Sequence, residues 1–253
     1  MSGADAAGRT GLVLAAGFGS RLAGAVPETA LKPLTPVAGT PLLVRTLRSL
    51  ERAGCTRAVV VLGHGAEATR AGIAAAYTGP LALAFVVNPR YDLANGVSVL
   101  AARPHLDGPF VLTMADHVVG DEVMDLARGH VPEPGGATLL VDYKLDTIFD
   151  MDDATKVRVE AGRVVAIGKD LAGFNAVDTG VFVCTDGLLD ALEAVYHERG
   201  DASLSDGVRR LAAAGRMAAL DVGDGFWQDV DTPAMLAHAE AVLRAHALRR
   251  RGA

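Results

Sequence analysis

A three-layer α/β/α sandwich around a mainly parallel mixed sheet is the fold this sequence predicts, on three observations. Short apolar runs alternate with helical patterns through the first half of the chain. The first run opens directly into a glycine-rich turn. From Gly135 onward the alternation gives way to strand-like segments. Hydrophobic residues make up 50% of the 253, so a substantial core can be buried, and a single domain over residues 10–248 is favoured over two small ones.

Taken in order, Leu12 to Ala15 read as a buried strand. Thr40 is placed to cap a helix with Pro41 at its first position; Leu42, Leu43, Thr46, Leu47 and Leu50 mark its apolar face and Gly54 stops it. Arg57 to Leu62 is a β-branched strand, Ala66 to Tyr77 a helix and Leu81 to Val87 a third strand. This alternation is Rossmann-like, with helices on both faces and ligands expected beyond the carboxyl ends of the strands. Pro109 to His117 continues the sheet as an apolar strand ending in a carboxylate, and a helix is expected over Val118 to Arg128. Later strands are read at Ala137 to Tyr143, Lys156 to Glu160 and Arg163 to Ile167, the last pair forming a hairpin about Ala161-Gly162. A β-hairpin subdomain over the active site, about residues 135–182, accounts for them. Asp186 to His197, Leu204 to Ala214 and Ala234 to Arg244 read as helices, the second capped by Ser203 or Ser205, and Arg216 to Val222 as a strand. Residues 1–9 are expected to be a flexible N-terminus and 249–253 a basic, solvated tail.

The chemistry begins at Gly11-Leu-Val-Leu-Ala-Ala-Gly-Phe-Gly-Ser-Arg21. Gly17 and Gly19 let backbone N–H groups approach an anion closely, and Arg21 adds a cation. A dinucleotide fingerprint would need a third glycine where Leu22 stands, which weakens an NAD-binding oxidoreductase. Pro33 keeps Lys32 on an extended segment; two cations on one irregular loop suggest a triphosphate. In Asn88-Pro-Arg-Tyr-Asp-Leu-Ala-Asn-Gly-Val-Ser98, the amides and the hydroxyl either read a base or build an ordinary turn. Asp116 ends an apolar strand, as a carboxylate for a hard cation or as a helix cap. His117 reads as its hydrogen-bonding neighbour, since no second histidine stands at ligand spacing. Asp229 and Asp231, two apart, project the same way on an extended segment and can share one cation, while Asp231 or Thr232 can also cap the last helix.

Composition narrows the partners. A net charge of −6, with no basic stripe, argues against nucleic acid. Cys55 and Cys184 lie far apart in apolar surroundings and read as reduced core thiols, fitting a cytoplasmic protein. No signal-type segment or apolar run long enough for membrane insertion is present.

The motifs Leu-Ala-Ala-Gly-x-Gly-x-Arg, Leu31-Lys-Pro-Leu34 and Val37-x-Gly-x-Pro-Leu-Leu43 resemble the N-terminal signature of sugar-1-phosphate nucleotidyltransferases, the pyrophosphorylase superfamily. Where that family usually writes Gly-Lys-Pro, this chain has Gly39-Thr40-Pro41. The run from Asp152 to Leu171, followed by Val177-Asp-Thr-Gly-Val-Phe182, is similar to the acceptor half of CTP:inositol-1-phosphate cytidylyltransferases. The resemblance implies Mg²⁺-dependent transfer of CMP from CTP to a small phosphorylated polyol, L-myo-inositol 1-phosphate first. Phosphonate, phosphocholine and sugar 1-phosphate remain alternative acceptors. It implies a nucleotide site at Leu14, Ala15, Ala16, Gly17, Gly19, Ser20, Asn88, Asn95, Gly96 and Ser98, with Arg21, Lys32 and Lys169 catalytic. Lys156 and Lys169 would reach the acceptor phosphate or α-phosphate, Asp178 and Thr179 the acceptor hydroxyls, and Asp116, Asp229 and Asp231 the metal. From residue types alone, a solvated strand charge is the favoured reading for either lysine. A non-catalytic nucleotide-binding domain is the reading from another class, disfavoured because sensing does not require both Asp116 and Asp229. In the inositol family this module is often fused to a membrane-embedded transferase that consumes the CDP-alcohol. A separate membrane transferase downstream is left open.

Overall fold

The computed structural model describes residues 8–18, 22 and 31–251. Gly19, Ser20 and Arg21 lie outside the described residues, as do residues 1–7, most of the expected N-terminal segment.

A nine-stranded mixed sheet organises the chain. Its strands are β1 (Arg9–Ala15), β4 (Cys55–Leu62), β5 (Ala82–Val87), β6 (Phe110–Met114), β8 (Ala137–Asp142), β9 (Lys156–Glu160), β10 (Arg163–Gly168), β11 (Ala176–Cys184) and β12 (Met217–Asp221), in the order β5-β4-β1-β6-β11-β8-β12-β10-β9. All but β10 and β11 run one way. Two small ribbons lie outside it: β2 (Pro36–Val37) with β3 (Thr40–Pro41), and β7 (His117–Val119) with β13 (Trp227–Asp229).

Period-two alternation divides the core. Leu12, Leu14, Val59 and Val61 pack in one buried cluster with α3 (Asn95–Ala102), α5 (Asp186–Arg199) and α6 (Leu204–Ala213). Val13, Ala15, Val60 and Leu62 pack in the other with α1 (Leu42–Arg52), α2 (Ala66–Ala76) and α4 (Asp121–Gly129). The expected three layers follow. Cys55 and Cys184 are free and buried, and burial raises the thiol pKa of Cys55 to about 12. The last helix, α7 (Pro233–Arg251), joins Val37, Leu42, Val118 and Val230 in a third cluster through Ala239.

The hairpin of β9 and β10 turns on Ala161 and Gly162, both with positive φ (48° and 74°), the pair that a twist-compatible two-residue turn requires. It is continuous with the sheet: β10 pairs with β12, and β9 returns to β11. Strands β8 and β11 of the 135–182 region are themselves central strands of that sheet.

Three local expectations change. Thr40 does not cap α1: the Ala38-Gly39 turn, with φ of 47° and 77°, folds it into β3 opposite Val37. Val118 is in β7, and α4 begins only at Asp121, because His117 to Val119 finds a strand partner in β13. The final helix does not stop at Arg244 but runs to Arg251, into the expected basic tail. For α6, the expected cap holds as a reciprocal box, Ser203 Oγ accepting from Asp206 N at 3.1 Å and Asp206 Oδ2 accepting from Ser203 N at 2.9 Å. Ser203→Ala should therefore cost ~1 kcal/mol and lower the calorimetric melting temperature by ~2–4 °C.

No helix among the described residues is long and apolar enough to cross a membrane.

Candidate active site

The carboxyl ends of β1, β6 and β8 converge on a cleft of about 680 Å³. Because β11 runs the opposite way, it brings its beginning to the same edge, Asp178 lying opposite Val141. Leu14, Ala16, Gly17, Asn95, Ser98, Asp116, Lys169, Asp178, Asp229 and Asp231 line the cleft. Ala15 and Lys32 border a small adjoining recess with Gly17 and Asp116.

The ribbon of β7 and β13 makes the carboxylate cluster. Asp229 stands opposite His117 in its register, and Val230 N donates to Asp116 O at 2.8 Å. Two segments more than a hundred residues apart thus place Asp116 and Asp229 side by side. Asp231 follows at once; its backbone N–H meets Met235 Sδ, while Thr232 Oγ1 accepts from Met235 N at 3.3 Å. Thr232, not Asp231, therefore supplies the capping oxygen of α7, and the Asp231 carboxylate is paired with Lys32. Ligating oxygens of Asp153, Asp229 and Asp231 all lie within 4.8 Å of one another. Hard carboxylate oxygens so grouped fit a hard divalent cation.

The charges are interlocked. Lys32 Nζ donates to Asp116 Oδ2 at 2.6 Å and also to Asp231 Oδ1. Burial works against the ammonium, but Asp116 and Asp231 outweigh it and raise its pKa. Burial likewise opposes ionisation of Asp116, yet Lys32 and His117 hold its carboxyl well below the usual range. His117 Nδ1 lies 2.8 Å from Asp116 Oδ1, confirming it as a hydrogen-bonding neighbour. Burial would lower the His117 pKa, but Asp116, Asp229 and Asp178 raise it. Its ring stacks on Trp227, centroids 6.2 Å apart, and a Cβ at Gly180 would come within 2.7 Å of it.

Four expected contacts do not reach the cleft. Asn88 is buried and spends its amide on Ser98 Oγ (3.0 Å) and Arg90 N (2.8 Å). Gly96 is buried where a Cβ would strike the Ala202 carbonyl oxygen at 2.5 Å, so it serves close packing of α3. Lys156 is 9% exposed and turns its Nζ to the Asp152 carbonyl at 3.0 Å. Thr179 is fully buried and donates to Leu140 O at 2.8 Å. Pairing of β11 with β8 skips between Asp178 and Phe182, and the Thr179 hydroxyl fills that gap in the ladder.

Asp178 does face the cleft, and burial raises its pKa from 3.8 to about 6. The metal-free native chain then keeps a proton that the unfolded chain releases between about pH 4 and 6, so stability falls as pH rises through that window. Asp178→Asn should remove this slope, worth ~1–3 kcal/mol between pH 4 and 7 in denaturation. Thr179→Val should instead cost ~1–3 kcal/mol at every pH by orphaning the Leu140 carbonyl.

Sequence reasoning missed Asp142, Lys144, Asp153 and the role of Trp227. Asp142, 3% exposed, accepts from Trp227 Nε1 at 2.9 Å and Lys144 Nζ at 2.8 Å. Lys144 also donates to the Gly223 carbonyl, tying the 143–155 loop to the segment before β13. Asp153 pairs with Lys169. An aromatic wall of Phe18, His64 and Tyr91 flanks the glycine turn, Phe18 lying 5.5 Å and 5.3 Å from the other two ring centroids. The Trp-x-Asp run signals Trp227, but the irregular 143–155 loop has no period to place Asp153.

Fold and cleft together define an α/β nucleotidyltransferase. The chain belongs to the MobA-like NTP transferase domain family, whose model matches residues 11–211. It is 39% identical over 244 residues to the bifunctional IPC transferase and DIPP synthase of Rubrobacter xylanophilus, covering 93% of this chain and 53% of that protein. The Archaeoglobus fulgidus protein of the same name is 33% identical over 241 residues, covering 95% of this chain and 45% of its own. The chain thus spans about half the length of the curated relatives it matches. The inositol-1-phosphate CTP transferase from T. maritima superposes with a TM-score of 0.79 at 27% identity, covering 90% of this chain and 91% of that one.

Proposed function

We propose that this chain transfers CMP from CTP to L-myo-inositol 1-phosphate, or a closely related phosphorylated polyol, releasing pyrophosphate and a CDP-alcohol. The observation that carries the proposal is the pairing of β7 with β13, which sets Asp116 beside Asp229 at the strand edge that also bears the glycine turn and Lys32. The likeness to the T. maritima transferase and the IPC transferase relatives supports this substrate pair.

The attacking group is a phosphate oxygen of the acceptor. It forms a bond to the α-phosphorus as the α–β oxygen bridge breaks, and the electron pair leaves on pyrophosphate. A phosphomonoester is anionic near neutral pH, so no protein base is needed, in keeping with a cleft that lacks a nucleophile–base pair among its described residues. Asp229 and Asp231, grouped with Asp153, would hold Mg²⁺ with Asp116 next to them, and the ion when bound supplies charge neutralisation at the transferring phosphate. Lys32, paired with Asp231, and Lys169, paired with Asp153, add positive charge, and Asp178 presents an acceptor for a polyol hydroxyl. His117, pinned by Trp227, keeps the Asp116 carboxylate oriented. The CDP-alcohol would be a substrate for a membrane CDP-alcohol transferase.

Pyrophosphate release with each of the four ribonucleoside triphosphates, against inositol 1-phosphate, phosphocholine, a phosphonate and glucose 1-phosphate, tests this reading. The expected result is turnover with CTP and inositol 1-phosphate. Robust turnover with another triphosphate and none with CTP would remove the cytidylyl assignment, and CTP binding without turnover on any acceptor would favour a non-catalytic domain.

A further inference from the structure

We propose that Lys32 and the divalent cation compete for the same carboxylates, so that cation entry and release of the Lys32 ammonium toward the triphosphate are one exchange. The inference rests on the proposed function and adds an order of events to it.

Lys32 donates to both Asp116 and Asp231, and its side chain is only 11% exposed. The ammonium therefore lies between one carboxylate of the β6 end and one of the segment after β13. Asp231 is also one of the three aspartates whose ligating oxygens lie within 4.8 Å of one another. A second lysine repeats the arrangement at another member of the group: Asp153 is ion-paired with Lys169. Both lysines proposed to add charge at the phosphates are thus held by carboxylates of the group proposed to hold the metal.

Two cations cannot use the same carboxylate oxygens without strong repulsion in a poorly solvated site. The backbone at Lys32 has little room to yield. Pro33 lies in a single 3₁₀ turn from Lys32 to Leu34, and Leu31 and Leu34 sit where a Cβ on Gly65 or Gly72 would touch them at 2.5 and 2.6 Å. Exchange must then occur by swinging the lysine side chain, whose new partner is the nearest added anion. In the proposed reaction that is the nucleotide's phosphate chain. Until nucleotide arrives, displacement from Asp231 costs the ammonium one of these two counter-charges, so metal alone should bind weakly.

The test is titration of the full chain with Mn²⁺ alone, free ion being followed by electron paramagnetic resonance, for wild type, Lys32→Gln and Lys32→Arg. Lys32→Gln should bind Mn²⁺ more tightly than wild type by on the order of tenfold while losing pyrophosphate release, and Lys32→Arg should gain no affinity. Equal or weaker Mn²⁺ binding by folded Lys32→Gln overturns the proposal. Should Lys32→Gln fail to fold, the wild type decides: acetylation of Lys32 by a limiting amine reagent, read by mass spectrometry, must accelerate severalfold when Mn²⁺ alone is added, and an unchanged rate overturns the exchange. Failure of the exchange alone would leave wild type turning over CTP with inositol 1-phosphate and Asp229→Asn deficient in Mn²⁺ binding. If wild type binds no Mn²⁺ even with CTP, the exchange falls together with the proposed function.

Discussion

Asp116→Asn should reduce pyrophosphate release by on the order of 10³-fold while leaving the fold intact, the scale expected when several kcal/mol of charge stabilisation at a transferring phosphate is lost. The substitution keeps shape but removes the negative charge that both Lys32 and His117 address. Folding survives because Lys32 keeps Asp231, and the backbone bond from Val230 N to Asp116 O does not involve the side chain. Circular dichroism should match wild type, and CTP-dependent pyrophosphate release should be the property that disappears. A rate within a few-fold of wild type would remove Asp116 from the reaction.

Gly180→Ala should damage the same centre from a residue that need not touch either substrate. Gly180 has φ +75°, a conformation that costs an L-residue ~1–3 kcal/mol. The new methyl would also lie 2.7 Å from Cδ2 and Nε2 of His117. The ring is held on one face by Trp227, so accommodating the methyl must shift it and disturb its 2.8 Å hydrogen bond to Asp116. Loss of such an orienting partner typically costs ~10–100-fold in activity or metal affinity. The variant should therefore melt below wild type and also turn over more slowly in its folded fraction. A pure stability loss, with a normal rate per folded molecule, would show that the His117 seat does not govern Asp116.

These two substitutions also mark what the sequence made legible. Asp116 and Asp229 each end or follow an apolar strand, so their arrival at one sheet edge followed from parallel topology and the glycine turn. Lys32 was legible as a cation but not in its backbone, because Lys32 to Leu34 close a single 3₁₀ turn where an extended segment was expected; the α6 cap was narrowed only to Ser203 or Ser205, and the reciprocal bonds with Asp206 decide for Ser203. Gly180 was not, because the skip in β11 pairing breaks period two at Thr179 and turns its hydroxyl onto Leu140. The ribbon of β7 and β13 has only three residues per strand, too few to show a period, so Val118 was read as helix. Asn88 and Ser98 satisfy one another across ten residues, a pairing that residue types do not distinguish from base recognition. Asp153 and Lys144 lie in a loop whose position is set by tertiary contacts: Lys144 with Asp142 and Gly223, Phe149 stacked on His238 at 4.4 Å, and Asp153 with Lys169.

Diffraction at the manganese edge from crystals grown with CTP and Mn²⁺ addresses the convergence of distant carboxylates on one metal nucleotide. An anomalous peak within coordination distance of Asp229 and of Asp116 or Asp231, with the triphosphate on the glycine-turn side of it, is the predicted result. A manganese ion bound elsewhere, or CTP seated outside this cleft, would contradict it.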